Sequence, residues 1–436
     1  MLKFGDRIEM MVDGFLIETA ENLVFRHNPP KNLGKAVEFT EKWEGAGSLA
    51  ISAVDDGKTV RLYYRGYPTG AKDSDPYQVT CLAVSEDGVN FSRLAVNEFD
   101  YKGVRENNVV FGGENAHNFA PFLDANPECD PDRRFKAIGG TFHSGGIRVY
   151  CSPDGIHFKE MADGPVITSK EFAFDSMNTA FWDPHAELYR CYLRAYSSED
   201  SVREIWSCTS KDFIHWTPIV PNEYDFKEPE HLYTNAAHPV PGAEHVLVSI
   251  PMRFMESRLK MPGYKPAGVS DAILMTSRDG VRWNRTVFDA WIKGGLCSHE
   301  WTQRCFIAAG GIITRGDSFI FYVEQNYMWP DGCICAYSVP KFRFMSLYAD
   351  SRGGSFVTKP LLFAADDVYL NFSTSAYGHV RMRVLSEDGE EVFDSGEIFG
   401  NELSHRVHVE GMAGKCGKIQ FDLKEADLYA VGSTMD

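Results

Sequence analysis

The sequence predicts an all-β fold, a five-bladed β-propeller followed by a small C-terminal β-sandwich-like domain. Three observations carry that expectation: a turn motif that recurs about every 60 residues, strand-like runs before each copy, and no sustained helical period.

The turn has the form S-x-D-G-x-x-aromatic. It occurs as SEDGVNF from Ser85, SPDGIHF from Ser152 and SRDGVRW from Ser277, with the variant SKDFIHW from Ser210. The starting serines lie 67, 58 and 67 residues apart, and a degenerate fifth copy begins 61 residues later at Ser338. Each serine ends an apolar run: YQVTCLAVS, GGIRVYCS, REIWSCTS, DAILMTS and GCICAYS. A second run precedes each of these (VRLYYRGY, RFKAIGGTF, YRCYLRAY, HVLVSIPMRF, SFIFYVEQNY), and a third precedes that, from GSLAISAV to CFIAAGGIIT. The runs are rich in β-branched and aromatic residues and are separated by turn residues. Three strands and a fourth after the turn make one antiparallel sheet per repeat, and radial stacking of such sheets protects their edges.

The turn itself reads as structural. Asp and Gly make the bend, Ser bonds the backbone, and the aromatic ring packs between sheets.

The predicted propeller spans residues 1–350. Within it, residues 1–43 precede the first repeat, and their VDGFLIE segment reads as a strand closing the ring against the last blade. Residues 351–436 alternate apolar and polar positions and form the C-terminal β domain.

The 436 residues are 44% hydrophobic and 13% aromatic, enough for a large core, and 38 Gly and 21 Pro suit many tight turns. The formal net charge of −17 repels phosphate backbones and anionic lipid, so neither nucleic acid nor membrane is an expected partner. None of the ten cysteines forms a CxxC pair and most sit in strand-like runs, which fits free thiols in a reducing compartment. The opening MLKFGDRIEMMVDGFLIE puts charges where a signal peptide needs apolar residues, and no apolar run approaches ~18 residues. The expected location is the cytoplasm.

In a propeller the first strand of each blade lines the axis, and the starts of these strands converge on one face. Those five points read Trp43-Glu44-Gly45, Glu114-Asn115-Ala116-His117-Asn118, Asp175-Ser176-Met177-Asn178, Glu230-His231-Leu232-Tyr233 and His299-Glu300-Trp301. Each carries a carboxylate. Such a funnel offers what glycosidic cleavage needs, an acid for the leaving oxygen and a second carboxylate as base or nucleophile. Trp43, Trp182, Tyr233 and Trp301 are candidates to stack on sugar faces, with wall packing as their structural alternative. Arg65, Arg194, Arg253 and Arg304 lie near the strands, placed either to orient hydroxyls or an anion or to pair with the acids. Asp13 in VDGFLIE is a further candidate, for ring closure or for substrate.

The segments VDGFLIE, WEGAGSLAISAVDDGKTVRLYYRG, NAHNFAPFLDANP, DSMNTAFWD, EHLYTNA, SDAILMTSRDG, HEWTQRCFIAAG and GGSFVTKPLLF together resemble a bacterial group of five-bladed propeller proteins related to glycoside hydrolase families 32 and 43. The better-known propeller glycosidases carry a base or nucleophile Asp on the first blade, a stabilising Asp on a middle blade and an acid Glu further round. Asp175 and Glu300 carry over as the middle Asp and later Glu. The chain departs from the pattern by lacking W-x-N-D-P and R-D-P, by opening its first blade with Glu44, and by placing the Glu on the fifth blade.

The resulting expectation is a glycoside hydrolase acting on an oligosaccharide. Asp175 and Glu300 are its acid and base or nucleophile, and Glu44 or Glu230 is the third carboxylate. His117, Asn118, Asn178 and Arg304 hold sugar hydroxyls. The alternatives are a glycoside phosphorylase or transferase, which needs a basic pocket beside the acids, and a carbohydrate-binding propeller without chemistry. No zinc-motif spacing is present and no cofactor or metal is expected, although a structural cation on the axis stays open.

Overall fold

In the computed structural model each serine–aspartate turn closes through the same short-range bonds. Ser85 Oγ accepts the Gly88 N–H at 2.9 Å, and Asp87 Oδ1 accepts those of Val89 and Asn90 at 2.8 Å. Ser152 with Asp154, Ser210 with Asp212 and Ser277 with Asp279 repeat the pattern. The fourth turn residue adopts positive φ, 78° at Gly88 and 77° at Gly155, which glycine tolerates without steric cost. The variant copy forces Phe213 to 68°.

These turns also dock on neighbouring sheets. The hydroxyls of Tyr63, Tyr192 and Tyr322 donate to the carbonyls of Gly155, Gly280 and Gly88 at 2.8, 2.8 and 2.7 Å. A Cβ on Gly155 would lie 2.6 Å from the Tyr63 hydroxyl, so the turn glycine also admits its neighbour.

The structure describes residues 2–68, 77–169, 174–196, 202–226, 230–264 and 267–435. Among them, regular structure is strand throughout except for 3-10 turns at Glu114–Ala116, Pro131–Arg133 and Ser298–Trp301. No helix is long and apolar enough to cross a membrane. All ten cysteines are free.

The chain forms two units. One comprises residues 31–315 and 320–338, the other residues 1–30, 316–319 and 339–436. In the first unit, strands Leu49–Asp55, Val60–Gly66, Val79–Ser85 and Val109–Gly112 make one antiparallel sheet, with Ser92–Arg93 added to its third strand. Strands Ala120–Leu123, Phe135–Gly139, Arg148–Ser152 and Lys159–Glu160 make the next. The third contains Thr179–Asp183, Leu188–Tyr196, Arg203–Ser210 and Val220–Pro221.

The fourth group is broken. Strands His238–Val240, Ala243–Ser249 and Met275–Ser277 pair separately from His231–Leu232, Met252–Met255 and Val269–Ala272. Pro251, lying between two of these strands, has no N–H for a ladder. The last sheet joins Ile307–Ala308, Ser318–Gln325 and Cys333–Pro340 to Lys31–Glu38. Ala53 N–H donates to Gly310 O at 2.7 Å and Gly310 N–H to Ile51 O at 2.9 Å, joining the first sheet to the segment that follows Ile307–Ala308. Rings such as Phe181, Tyr192 and Trp283 fill the space between sheets, each contributing about 1.5–3 kcal/mol by burial.

The strand expected to complete the last sheet is not VDGFLIE. That role falls to Lys31–Glu38, which pairs with Cys333–Ser338. VDGFLIE belongs to the other unit, where Ile17 pairs with Thr358. This unit is built on two long strands, Asp367–Leu385 and Cys416–Gly432, around a core including Phe356, Phe372, Met382 and Phe421. Its N-terminal strands are stitched in: Leu2–Phe4 pairs with Leu361–Phe363, and Ile8–Met10 with Ala430–Gly432. Arg26 holds Asp427 in a bidentate pair at 2.7 and 2.5 Å.

Candidate functional site

First-strand residues from all five sheet groups, among them Ala53, Ala120, Thr179, His238 and Gly310, line one cavity. It is largely apolar. Of its acids, Asp55 is paired with Arg315 and Glu244 accepts the Gly242 N–H at 2.8 Å, and burial pushes His238 down to about 4 while its Nδ1 donates to Pro239 O at 2.7 Å. Nothing there is poised for chemistry.

A second cavity lies where the same strands begin. Leu49 and Ile307 contribute from two first strands, and the residues preceding the other first strands supply His117, Asn118, Asp175 and Tyr233. The second strands add to this ring because an antiparallel partner ends where the first strand starts. Arg65 pairs with Leu49 in register, and Glu324 with Ile307.

Asp175 is the carboxylate of this cavity, the single one among the described lining residues. Its side chain is 37% exposed and ion-paired with Arg194, which is 2% exposed. Arg194 loses hydration in that position, and the nearby Arg203 adds like-charge repulsion, so its own pKa is lowered. Its guanidinium lies over the rings of Tyr196 at 4.6 Å and Tyr233 at 5.5 Å.

Arg65 is buried and bonded to neutral groups: Gly47 O at 2.9 Å, Asn118 Oδ1 at 3.2 Å and the Tyr327 hydroxyl at 3.3 Å. His117 bridges two segments, with Nδ1 2.6 Å from Gln78 Oε1 and Nε2 3.1 Å from the Asp175 carbonyl oxygen. Arg304 stands over the Tyr327 ring at 4.7 Å and donates to Gln303 Oε1 at 3.1 Å. Behind Arg65 and Arg304, the wholly buried Glu324 has no hydrogen-bond partner for either carboxylate oxygen among the described residues. Burial raises its pKa well above the usual carboxylate range, Cys333 adds to this, and the two arginines oppose it.

Two further features mark the place. Arg65 Nε and Asn118 Nδ2 are buried donors without partners among the described residues, the kind of group that a ligand rich in acceptors satisfies. Left-handed backbone also collects here, with φ of 57° at Asn118, 50° at Phe174, 58° at Arg304 and 65° at Phe306. Such strain costs about 1–3 kcal/mol per residue and concentrates at functional sites.

Of the residues expected from sequence, Asp175, His117, Asn118, Tyr233, Arg65 and Arg304 meet in this cavity. The others do not line it. Glu44 is a buried structural acid that accepts the N–H groups of Thr40 and Glu41, the Tyr64 hydroxyl, and Arg93 through Nε and Nη2, at 2.7–3.0 Å. Glu300 accepts the Gly295 N–H at 2.6 Å while Trp301 Nε1 donates to Gly295 O at 2.8 Å, so both brace their own loop. Glu230 is held between Arg253 and Arg285, and Arg253 also grips Asp271. Asn178 spans Phe174 O and the Arg194 N–H and holds the loop that carries Asp175. Trp43 donates to Asn108, and Trp182 lines the apolar cavity. Asp13 lies in the other unit and caps the Phe15 N–H at 3.0 Å.

These corrections share a cause. An acid beside a strand start reaches the mouth only if its side chain points inward, and Glu44, Glu230 and Glu300 are turned toward donors in their own loops and sheets. Glu324 and Tyr327 escaped notice because they follow an apolar run. The readable signal was a charge closing the second run of a repeat, as in VRLYYRG, YRCYLRAY and FIFYVEQ.

The structural reading of Glu44 is testable. Glu44→Ala leaves Arg93 and several buried donors unmatched and destabilises the chain by on the order of 3 kcal/mol. A lowered denaturation midpoint with unchanged turnover per folded molecule is the expected result.

No family model matches the chain, and no curated protein matches it. Solved structures do. They include a protein described as a glycoside hydrolase (13% identity, 72% of this chain and 92% of that one, TM-score 0.49). Others are a Bombyx mori GH32 β-fructofuranosidase (8%, 91% and 93%, TM-score 0.44) and a β-1,2-mannobiose phosphorylase from Listeria innocua (10%, 73% and 97%, TM-score 0.45). At these identities, and with TM-scores below 0.5, the function has to be read from this chain's own residues.

Proposed function

We propose that this chain is a five-bladed β-propeller that cleaves a glycosidic bond of an oligosaccharide at the cavity around Asp175. The observation that carries the reading is one solvent-reached carboxylate ringed by His117, Asn118, Arg65, Arg304 and two tyrosines, drawn from in and beside all five sheet groups. Oriented donors suit sugar hydroxyls, the Tyr233 and Tyr327 rings suit a sugar face, and the orphaned Arg65 and Asn118 donors call for acceptor oxygens. Asp175, ion-paired with Arg194, is placed to serve as a base, a nucleophile or a stabiliser of positive charge at the anomeric carbon.

A second reading has its own support. Two-carboxylate hydrolysis needs a second acid facing the cavity, whereas phosphorolysis needs one carboxyl group and cationic side chains for phosphate. Arg65 and Arg304 face the cavity beside the single Asp175. In that reaction a phosphate oxygen bonds to the anomeric carbon as the carbon–oxygen bond to the leaving sugar breaks, and Asp175 gives its proton to the leaving oxygen.

A screen of aryl glycosides and oligosaccharides with and without phosphate tests both. Reducing sugar released without phosphate supports hydrolysis, and sugar 1-phosphate formed only with phosphate supports phosphorolysis. Saturable sugar binding without turnover would leave a binding protein and remove the catalytic reading.

A further inference from the structure

Outside the cavity, Cys297, His299 and Asp331 bring a thiol, an imidazole and a carboxylate together from two loops. One ligand atom from each lies within 4.8 Å of the other two. We propose that these three side chains form a zinc-binding site with a fourth position open to water.

The ligand set selects the metal class. Calcium and magnesium take oxygen ligands, whereas thiolate with imidazole and one carboxylate suits zinc. The two anions offset the two positive charges of the ion. Zinc bond lengths of about 2.0–2.3 Å place tetrahedral ligand atoms roughly 3.3–3.8 Å apart, so the observed cluster closes on the ion with movements of about 1 Å.

The groups are held in place beforehand. The His299 ring lies flat on Trp329, with centroids 3.8 Å apart and planes 8° from parallel, and Trp329 stacks in turn on Tyr264 at 4.8 Å. His299 Nδ1 is 3.0 and 3.1 Å from the two Asp331 oxygens, and Asn326 Nδ2 donates to Asp331 Oδ2 at 3.0 Å. Such outer contacts orient metal ligands. The backbone is fixed as well: Thr302 Oγ1 donates to His299 O at 2.7 Å, and the turn carrying Asp331 is closed by the Trp329 N–H to Asn326 O and the Gly332 N–H to Trp329 O, both at 3.0 Å. Cys297 is the one exposed cysteine of the ten and is open to solvent and ions.

Binding converts the Cys297 thiol to a thiolate bonded to zinc and releases its proton to solvent. It also ties together the loops that carry Arg304 and Tyr327, two of the residues lining the cavity.

The experiment uses the full chain, kept reduced with a phosphine. Zinc is titrated against a chromophoric chelator, and cobalt is then substituted for it. One equivalent of zinc is expected, with affinity at least tenfold weaker in both Cys297→Ser and His299→Ala. Cobalt should produce a thiolate charge-transfer band that Cys297→Ser abolishes. Zinc affinity equal in the wild type and both variants, or a cobalt spectrum without that band, would overturn the site.

Discussion

Asp175→Asn is expected to lower turnover on a glycoside substrate by about 10²–10⁴-fold, the usual worth of a positioned acid, base or nucleophile. Asparagine keeps the shape but can neither carry the negative charge nor move a proton at that position. Loss of the charge also strips the buried Arg194 of its counter-ion, so part of any deficit arises through stability. Turnover must therefore be normalised to folded protein, with KM measured beside kcat. A fall in kcat with little change in KM marks a group acting in the transition state. Turnover within threefold of wild type, in a variant shown to be folded, would remove Asp175 from the chemistry.

Glu324→Gln is expected to change how stability varies with pH. In the unfolded chain this carboxyl titrates at its ordinary value, whereas burial raises it well above that in the folded state. Between the two values the folded state keeps a proton that the unfolded state has lost. The stability it contributes is thus complete below the unfolded pKa and declines as pH rises toward the folded one. In that window the slope is about 1.4 kcal/mol per pH unit for one proton. Glutamine does not titrate, so the variant gains on the wild type steadily from weakly acidic to neutral pH. Denaturant titrations at several pH values read the difference directly, and parallel profiles for the two proteins would show that Glu324 is not held protonated.

The reading from sequence succeeded where the determinants are local. The serine–aspartate turns form by bonds within five residues, so their chemistry and their purely structural role were legible in SEDGVNF and its relatives. Strand runs were legible too, because β-branched and aromatic segments bounded by turn residues have few other uses. Asp175, His117, Asn118, Tyr233 and Arg304, named because they sit at or near the starts of first strands, do line one cavity. Glu44 and Glu300, named on the same reasoning, do not line it. Position along a strand is local, but the direction of a carboxylate depends on which donors its neighbours offer, and Arg93 and Tyr64 for Glu44 come from 49 and 20 residues away.

What the sequence by itself determined was the strand-and-turn grammar and the stretches of chain in which a site would have to lie, since both follow from short-range backbone and side-chain preferences. Tertiary structure decided which strand completes the last sheet, which unit takes the first 30 residues, and which acids face the cavity. Each of those outcomes depends on partners distant in the chain, among them Lys31–Glu38 against Cys333–Ser338, Arg26 against Asp427, and Arg194 against Asp175. Burial of a charged group is tolerated only where such partners assemble. At Glu324 no hydrogen-bond donor did among the described residues, and the fold left there a carboxyl held apart from water.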